Sequence, residues 1–227
     1  MHAGASAHRK PNTRKVGASM LLYASMLALA AASMPSEDIS INGPEGDLGG
    51  TWIKAADASA PVVLIIPGSG PTDRDGNSPL GINASTYRLL AEGLGQKGIS
   101  TVRVDKRGIG ASAGAVSDAN AVTIDDYVSD TRAWVDDIRR RSGKNCVWLL
   151  GHSEGGLVAL ATAQKSPDIC GLILVATAGR PMGDVVKAQL RAQPANAPLL
   201  PEADAAIDAL AAVSYTHLRA HETKANL

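Results

Sequence analysis

Apolar and polar positions follow one another along this chain in blocks of distinct period. PVVLIIP, Pro61 to Pro67, is an unbroken β-branched run between two prolines, the pattern of a strand buried on both faces. ISTVRVD, Ile99 to Asp105, reads as a second buried strand, Val147 to Leu150 as a third and Gly171 to Val175 as a fourth. Between them the period becomes helical. Tyr87 to Gln96, YRLLAEGLGQ, has that spacing and stops at Gly98. Thr123 is placed to cap a long amphipathic helix ending at Arg141, with Ile124, Tyr127, Val128, Thr131, Trp134, Val135 and Ile138 on one face. Ser153 to Lys165 is a further helix. Upstream, SEDISINGPEGDLGGTWIKA predicts two short strands around Asn42-Gly43-Pro44. Past Gly179-Arg180-Pro181, Met182 to Gln193 and Pro201 to Ala212 read as two helices that add no strand.

Strands alternating with helices specify an α/β fold with a doubly wound, mostly parallel sheet and right-handed crossovers. A chain of 227 residues suffices for one such core. Phenylalanine is absent, so the core rests on Ala, Val, Leu and Ile, which suits a helix-covered parallel sheet.

The formal net charge is zero, but residues 1–32 hold four basic residues, Arg9, Lys10, Arg14 and Lys15, and no acidic one. These precede an apolar run, Val16 to Ala32, that ends in three alanines, as a signal peptide does. The alternative is a membrane anchor, for which 17 Ala-rich residues are short, so no stable membrane span is expected. Residues 1–32 are therefore expected to direct export to a periplasmic or extracellular location. The remainder is mildly acidic and gives no support to a nucleic-acid partner. Asp125, Asp126, Asp130, Asp136 and Asp137 are read as a solvated helix face rather than a metal site, and no metal or other cofactor is expected.

Cys146 and Cys170 each stand directly before an apolar run. On neighbouring parallel strands their Cα atoms approach to roughly 5 to 6 Å, within bridging distance. Export favours a disulfide; two separate buried thiols are the alternative.

The chemistry centres on WLLGHSEGGLVAL, Trp148 to Leu160, where Gly151-His152-Ser153-Glu154-Gly155 fits G-x-S-x-G between a strand and a helix. Gly151 and Gly155 permit a sharp turn that lifts the Ser153 hydroxyl above the sheet as a candidate nucleophile. The plain alternative is a serine that only caps its helix. The Glu154 N–H faces the same space and is the first candidate oxyanion donor. A second donor is expected from the loop after the first buried strand, which begins Pro67-Gly68-Ser69-Gly70: the Ser69 N–H, or failing it that of Gly70, with Gly68 and Gly70 allowing close approach. The rest of that loop, PTDRDGN, is too long and polar for a plain connection.

Four segments in order, IIPGSGPTDRDGN, TVRVDKRGIGAS, LLGHSEGGLVAL and LILVATAGRP, resemble the α/β-hydrolase superfamily, in particular its bacterial esterase-like and serine aminopeptidase-like members. The resemblance covers about Ser36 to Leu210. It implies a core over residues 36–181, the start of a helical cap over 182–212, Ser153 as nucleophile, and oxyanion N–H groups from Ser69 and Glu154. Asp105 and Arg107, in the DxRGxGxS turn, are expected to serve structure through an ion pair or hydrogen bonds.

The resemblance also implies an acid and a histidine later in the chain, each after a further strand, and here the pattern departs. Thr177 to Pro181 carries no carboxylate, and Asp184 falls in an expected cap helix. His2 and His8 lie in the signal segment, and His152 sits on a turn that aims it away from the hydroxyl. His217 and His221 follow no strand that would fix them over Ser153, and with no third ligand nearby they make a poor metal pair. SYTHLRAHET resembles translated sequencing-adapter or vector sequence, so residues 213–227 are expected to be a non-native tail. The expectation is a truncated serine hydrolase for small-molecule esters, inactive for want of its acid and histidine. The alternatives are an amide or peptide hydrolase, or a non-catalytic binding protein on the same scaffold.

Overall fold

The structure, a computed structural model, describes Met1 and residues 34–224, with side chains through Ala212. Apart from Met1, the predicted signal segment lies outside the described residues. From Met34 onward the chain forms a single unit.

Its centre is a six-stranded sheet: β1 (Ser36–Asn42), β2 (Asp47–Ile53), β3 (Val62–Ile66), β4 (Ser100–Val104), β5 (Val147–His152) and β6 (Ile169–Val175), in the order β1-β2-β4-β3-β5-β6. β1 and β2 form the predicted hairpin, closed by the Gly43 N–H on the Gly46 carbonyl at 2.9 Å. β2 runs antiparallel to β4, while β4, β3, β5 and β6 are mutually parallel. Every residue of β3 and β4 is buried, as unbroken apolar runs require when helices cover both faces.

The period of two divides β3 between two cores. Val62, Leu64 and Ile66 face α2 (Ile124–Ser142) and α3 (Glu154–Gln164), packing with Trp134, Ile138, Leu149 and Val158. Val63 and Ile65 face α1 (Thr86–Gln96), with Tyr87 and Ala91. The chain leaves β3 toward β4 on one side and returns to β5 on the other. In such a sheet, ligands bind beyond the carboxyl ends of the strands where the winding reverses. The loop after β3 and the turn after β5 therefore meet at the place where chemistry is expected.

The α2 N-terminus is a capping box. The Asp126 N–H reaches the Thr123 hydroxyl at 3.3 Å, and the Thr123 N–H reaches the Asp126 carboxylate at 2.7 Å. One expectation for this helix is corrected. Asp130 and Asp137 are buried, at 7% and 2% exposure, instead of joining the solvated acidic face. Both lie on the turns that carry Trp134, at i−4 and i+3, so the helical period turns them inward. Each is compensated by arginine: Asp130 by Arg107, and Asp137 by Arg140 and Arg141.

Cys146 and Cys170 are joined in a disulfide with their Cα atoms 5.1 Å apart, tying the start of β5 to the start of β6. Beyond β6, α4 (Met182–Arg191) and α5 (Leu200–Lys224) pair through Lys187 with Asp208 and Arg191 with Asp204. α5 continues past Ala212, where the apolar pattern predicted its end, and carries the backbone of His217 and His221; their side chains are outside the described set. No strand follows β6 among the described residues.

Candidate active site

Ser153 stands between β5 and α3 with φ 52° and ψ −116°. A non-glycine residue in this region stores about 1–3 kcal/mol of strain and persists only where its surroundings enforce it. Here the enforcement is visible. A Cβ on Gly151 would lie 2.3 Å from the Gly155 carbonyl oxygen, and one on Gly155 would lie 2.4 Å from that of Ile66. One on Gly156 would meet the Thr177 hydroxyl at 1.8 Å. The turn is thus pressed against the ends of both neighbouring strands, with the Ser153 N–H held by the Val175 carbonyl at 2.8 Å. Gly151 and Gly155 each permit a close backbone approach at this turn. Gly156 adds a third close approach, for which the Gly-Gly pair was the available signal.

The side chain of Ser153 is half-buried, and the Glu154 N–H, in the first turn of α3, has no acceptor within its own helix. The loop after β3 lies against the same turn. A Cβ on Gly68 would fall 3.3 Å from the Ser153 Cβ and 3.0 Å from His152 Nδ1. Ser69 and Gly70 follow, both exposed, Gly70 with φ 75°. The structure therefore brings Gly68 against the turn formed by Gly151, Ser153, Glu154 and Gly155, with Ser69 and Gly70 next in the same loop. No group of three or more metal-ligating side chains occurs among the described residues.

Two residues to which sequence reasoning gave no role here, Tyr87 and Lys106, hold this loop. The Gly68 N–H donates to the Tyr87 hydroxyl at 3.2 Å, and that hydroxyl meets His152 Nδ1 at 2.7 Å. Burial pushes the Tyr87 pKa up. The His152 ring packs edge-on to that of Tyr87. On the other side, Lys106 donates to the Gly68 carbonyl at 2.6 Å. Its ammonium lies 3.8 Å from the Glu154 carboxylate and 5.5 Å from the centre of the Tyr127 ring. Burial lowers the Lys106 pKa, and Glu154 partly opposes that shift.

The DKRGIGAS turn is structural, through partners other than each other for its acid and arginine. Asp105 accepts the Arg74 N–H at 2.7 Å, the Arg74 guanidinium at 3.2 Å and the Ala111 N–H at 2.9 Å, anchoring the long loop to β4. Arg107 forks onto Asp130 at 2.8 and 2.7 Å, which raises its pKa and pins the turn to α2. Ser112 donates to the Asp105 carbonyl at 2.9 Å and accepts the Gly49 N–H at 2.9 Å, closing the turn onto β2.

This sheet order, with a left-handed serine after β5 and a glycine loop from β3 against it, defines an α/β hydrolase. Residues 80–222 match the family described as serine aminopeptidase, S33, and the chain belongs to that family. It is 29% identical over 160 residues to esterase EstD of Thermotoga maritima, a match covering 70% of this chain and 36% of that protein. It is 31% identical over 125 residues to phospholipase YtpA of Bacillus subtilis, covering 54% and 42%. Among solved structures, the proline iminopeptidase-related protein of Thermus thermophilus superimposes with a TM-score of 0.53 at 24% identity, covering 75% of this chain and 56% of that one. The chain spans between 36% and 51% of the length of the curated relatives it matches.

Proposed function

We propose that Ser153 is the nucleophile of a serine hydrolase that cleaves carboxylic esters through an acyl-enzyme. The observation carrying this is the strained φ of Ser153 with Gly68 packed against it, which supports reading the adjoining Ser69 and Glu154 peptide groups as oxyanion donors. In this reading the hydroxyl oxygen attacks the acyl carbonyl, and its proton passes to a base. The carbonyl oxygen takes up negative charge facing the N–H groups of Ser69 and Glu154. Collapse expels the alcohol with a proton, and water then releases the acid. Esters rank ahead of amides because two curated relatives are named an esterase and a phospholipase. Amide cleavage is the second reading, favoured by the family's description.

His152 is engaged by Tyr87, and among the described residues no side chain hydrogen-bonds the Ser153 hydroxyl, so this reading assigns neither base nor acid to a described residue. We propose that the chain as given acylates slowly and turns over poorly. Export is part of the same proposal, supported by the Cys146–Cys170 disulfide, which suits an oxidising compartment.

The test is exposure to a nitrophenyl butyrate ester and to an alanine nitroanilide, with intact mass and peptide mapping. A butyryl group on Ser153, absent from Ser153→Ala, is the expected result. Modification by the anilide alone would favour the amide reading, and neither reagent acting on folded protein would favour a binding scaffold.

A further inference from the structure

We infer that Lys106 is a positioning residue that aims the Ser69 N–H at the oxyanion space by holding the Gly68 carbonyl on the opposite side. The inference rests on the reading of Ser153 as nucleophile and deepens it. The carbonyl of Gly68 and the N–H of Ser69 belong to one peptide unit, which is trans. In a trans unit the two bonds point in opposite directions, so an anchor on the oxygen dictates where the N–H looks. Lys106 is that anchor at 2.6 Å, and the Gly68 N–H is separately tied to Tyr87, so rotation is blocked at both flanking units.

The lysine sits where a charge is expensive to keep. Its side chain is 8% exposed, at a cavity of about 20 Å³, room for about one water molecule, lined by Ile66, Pro67, Val104 and Tyr127. Such a group is retained only if its proton donors are used. The groups facing it are the Gly68 carbonyl, the Glu154 carboxylate, the Tyr127 ring, and Asp105 and Asp130 at the edge of the same cavity. Asp105 and Asp130 are already matched to Arg74 and Arg107, which leaves Lys106 to the two halves of the oxyanion site. It contacts the peptide that ends in the Ser69 N–H and the side chain of the residue that supplies the other N–H.

The ammonium polarises the Gly68–Ser69 peptide, which makes its N–H a stronger donor. Its positive charge also lies beside the site where negative charge develops, and a charge fixed in advance needs no reorganisation during reaction.

The test compares Lys106→Met and Lys106→Arg with the parent chain in two measurements. The first is the NMR shift of the Gly68 carbonyl carbon and the Ser69 amide nitrogen. Both are expected to move in Lys106→Met and to return toward parent values in Lys106→Arg. In the parent they are expected to titrate below the ordinary lysine value of 10.5. The second is the rate of Ser153 modification by a fluorophosphonate. Lys106→Met is expected to slow the maximal rate on the order of tenfold to a hundredfold, with half-saturation unchanged and partial recovery in Lys106→Arg. Unmoved shifts in a folded Lys106→Met overturn the inference, as does an unchanged rate. If the parent is never modified at Ser153 while the shifts still respond to Lys106, the nucleophile reading falls and the peptide anchor stands.

Discussion

The two ends of β5 are held by different means. At its carboxyl end, Gly151 and Gly155 let backbone pack on backbone and Gly156 lets the Thr177 side chain in, closer than a Cβ would allow, and the strain of Ser153 is held by these contacts. At its amino end the disulfide ties it to the start of β6. Along the carboxyl half of β5, β6 leaves Ile173, Leu174 and Val175 38%, 45% and 42% exposed. β3, by contrast, is buried along its whole length. A strained residue requires surroundings that cannot relax: on the β3 side a fully buried strand provides them, and on the β6 side the Val175 carbonyl and Thr177 hold the turn beside a partly exposed strand.

The largest expected effect falls on the packed side. Gly155→Ala places a methyl group within 2.4 Å of the Ile66 carbonyl, where backbone must shift. A loss of about 3 kcal/mol or more, near 10 °C in melting temperature, is expected by calorimetry. Gly179→Ala, in open space after β6, is expected to change stability by less than about 0.5 kcal/mol. Equal effects would dissolve the contrast.

Reducing the disulfide, which closes 24 residues, is expected to cost about 2–3 kcal/mol. Denaturant melts with and without reductant measure this, and two free thiols in the unreduced, unfolded protein would remove the staple altogether. Ser153→Gly releases the φ strain and is expected to raise stability by about 1 kcal/mol while ending acylation. No gain in the melt would mean that the turn is not strained. Leu174→Lys, on the exposed strand, is expected to shift stability by less than about 0.5 kcal/mol and to reduce self-association in sedimentation.

The strands and the serine turn were legible because both rest on local pattern: unbroken β-branched runs, and a serine among glycines between a strand and a helix. The Thr123 cap was legible for the same reason. What escaped depends on side chains meeting across long separations. Lys106 reaches Gly68 over 38 residues, Tyr87 reaches His152 over 65, and Arg107 finds Asp130 over 23. Asp130 shows the difficulty most clearly. Its position beside Trp134 predicts burial, while its charge predicts solvent, and only the arginine from another segment decides between them. The cysteines posed the opposite case, since a bridge and a pair of thiols share one strand pattern and one Cα approach, and only the bond itself separates them.

The most direct test of the central claim is prolonged treatment of the folded chain with excess fluorophosphonate, followed by peptide mapping. One adduct is predicted, on the hydroxyl of Ser153, and lost in Ser153→Ala. Equal modification of both proteins, or an adduct confined to other residues, would contradict it.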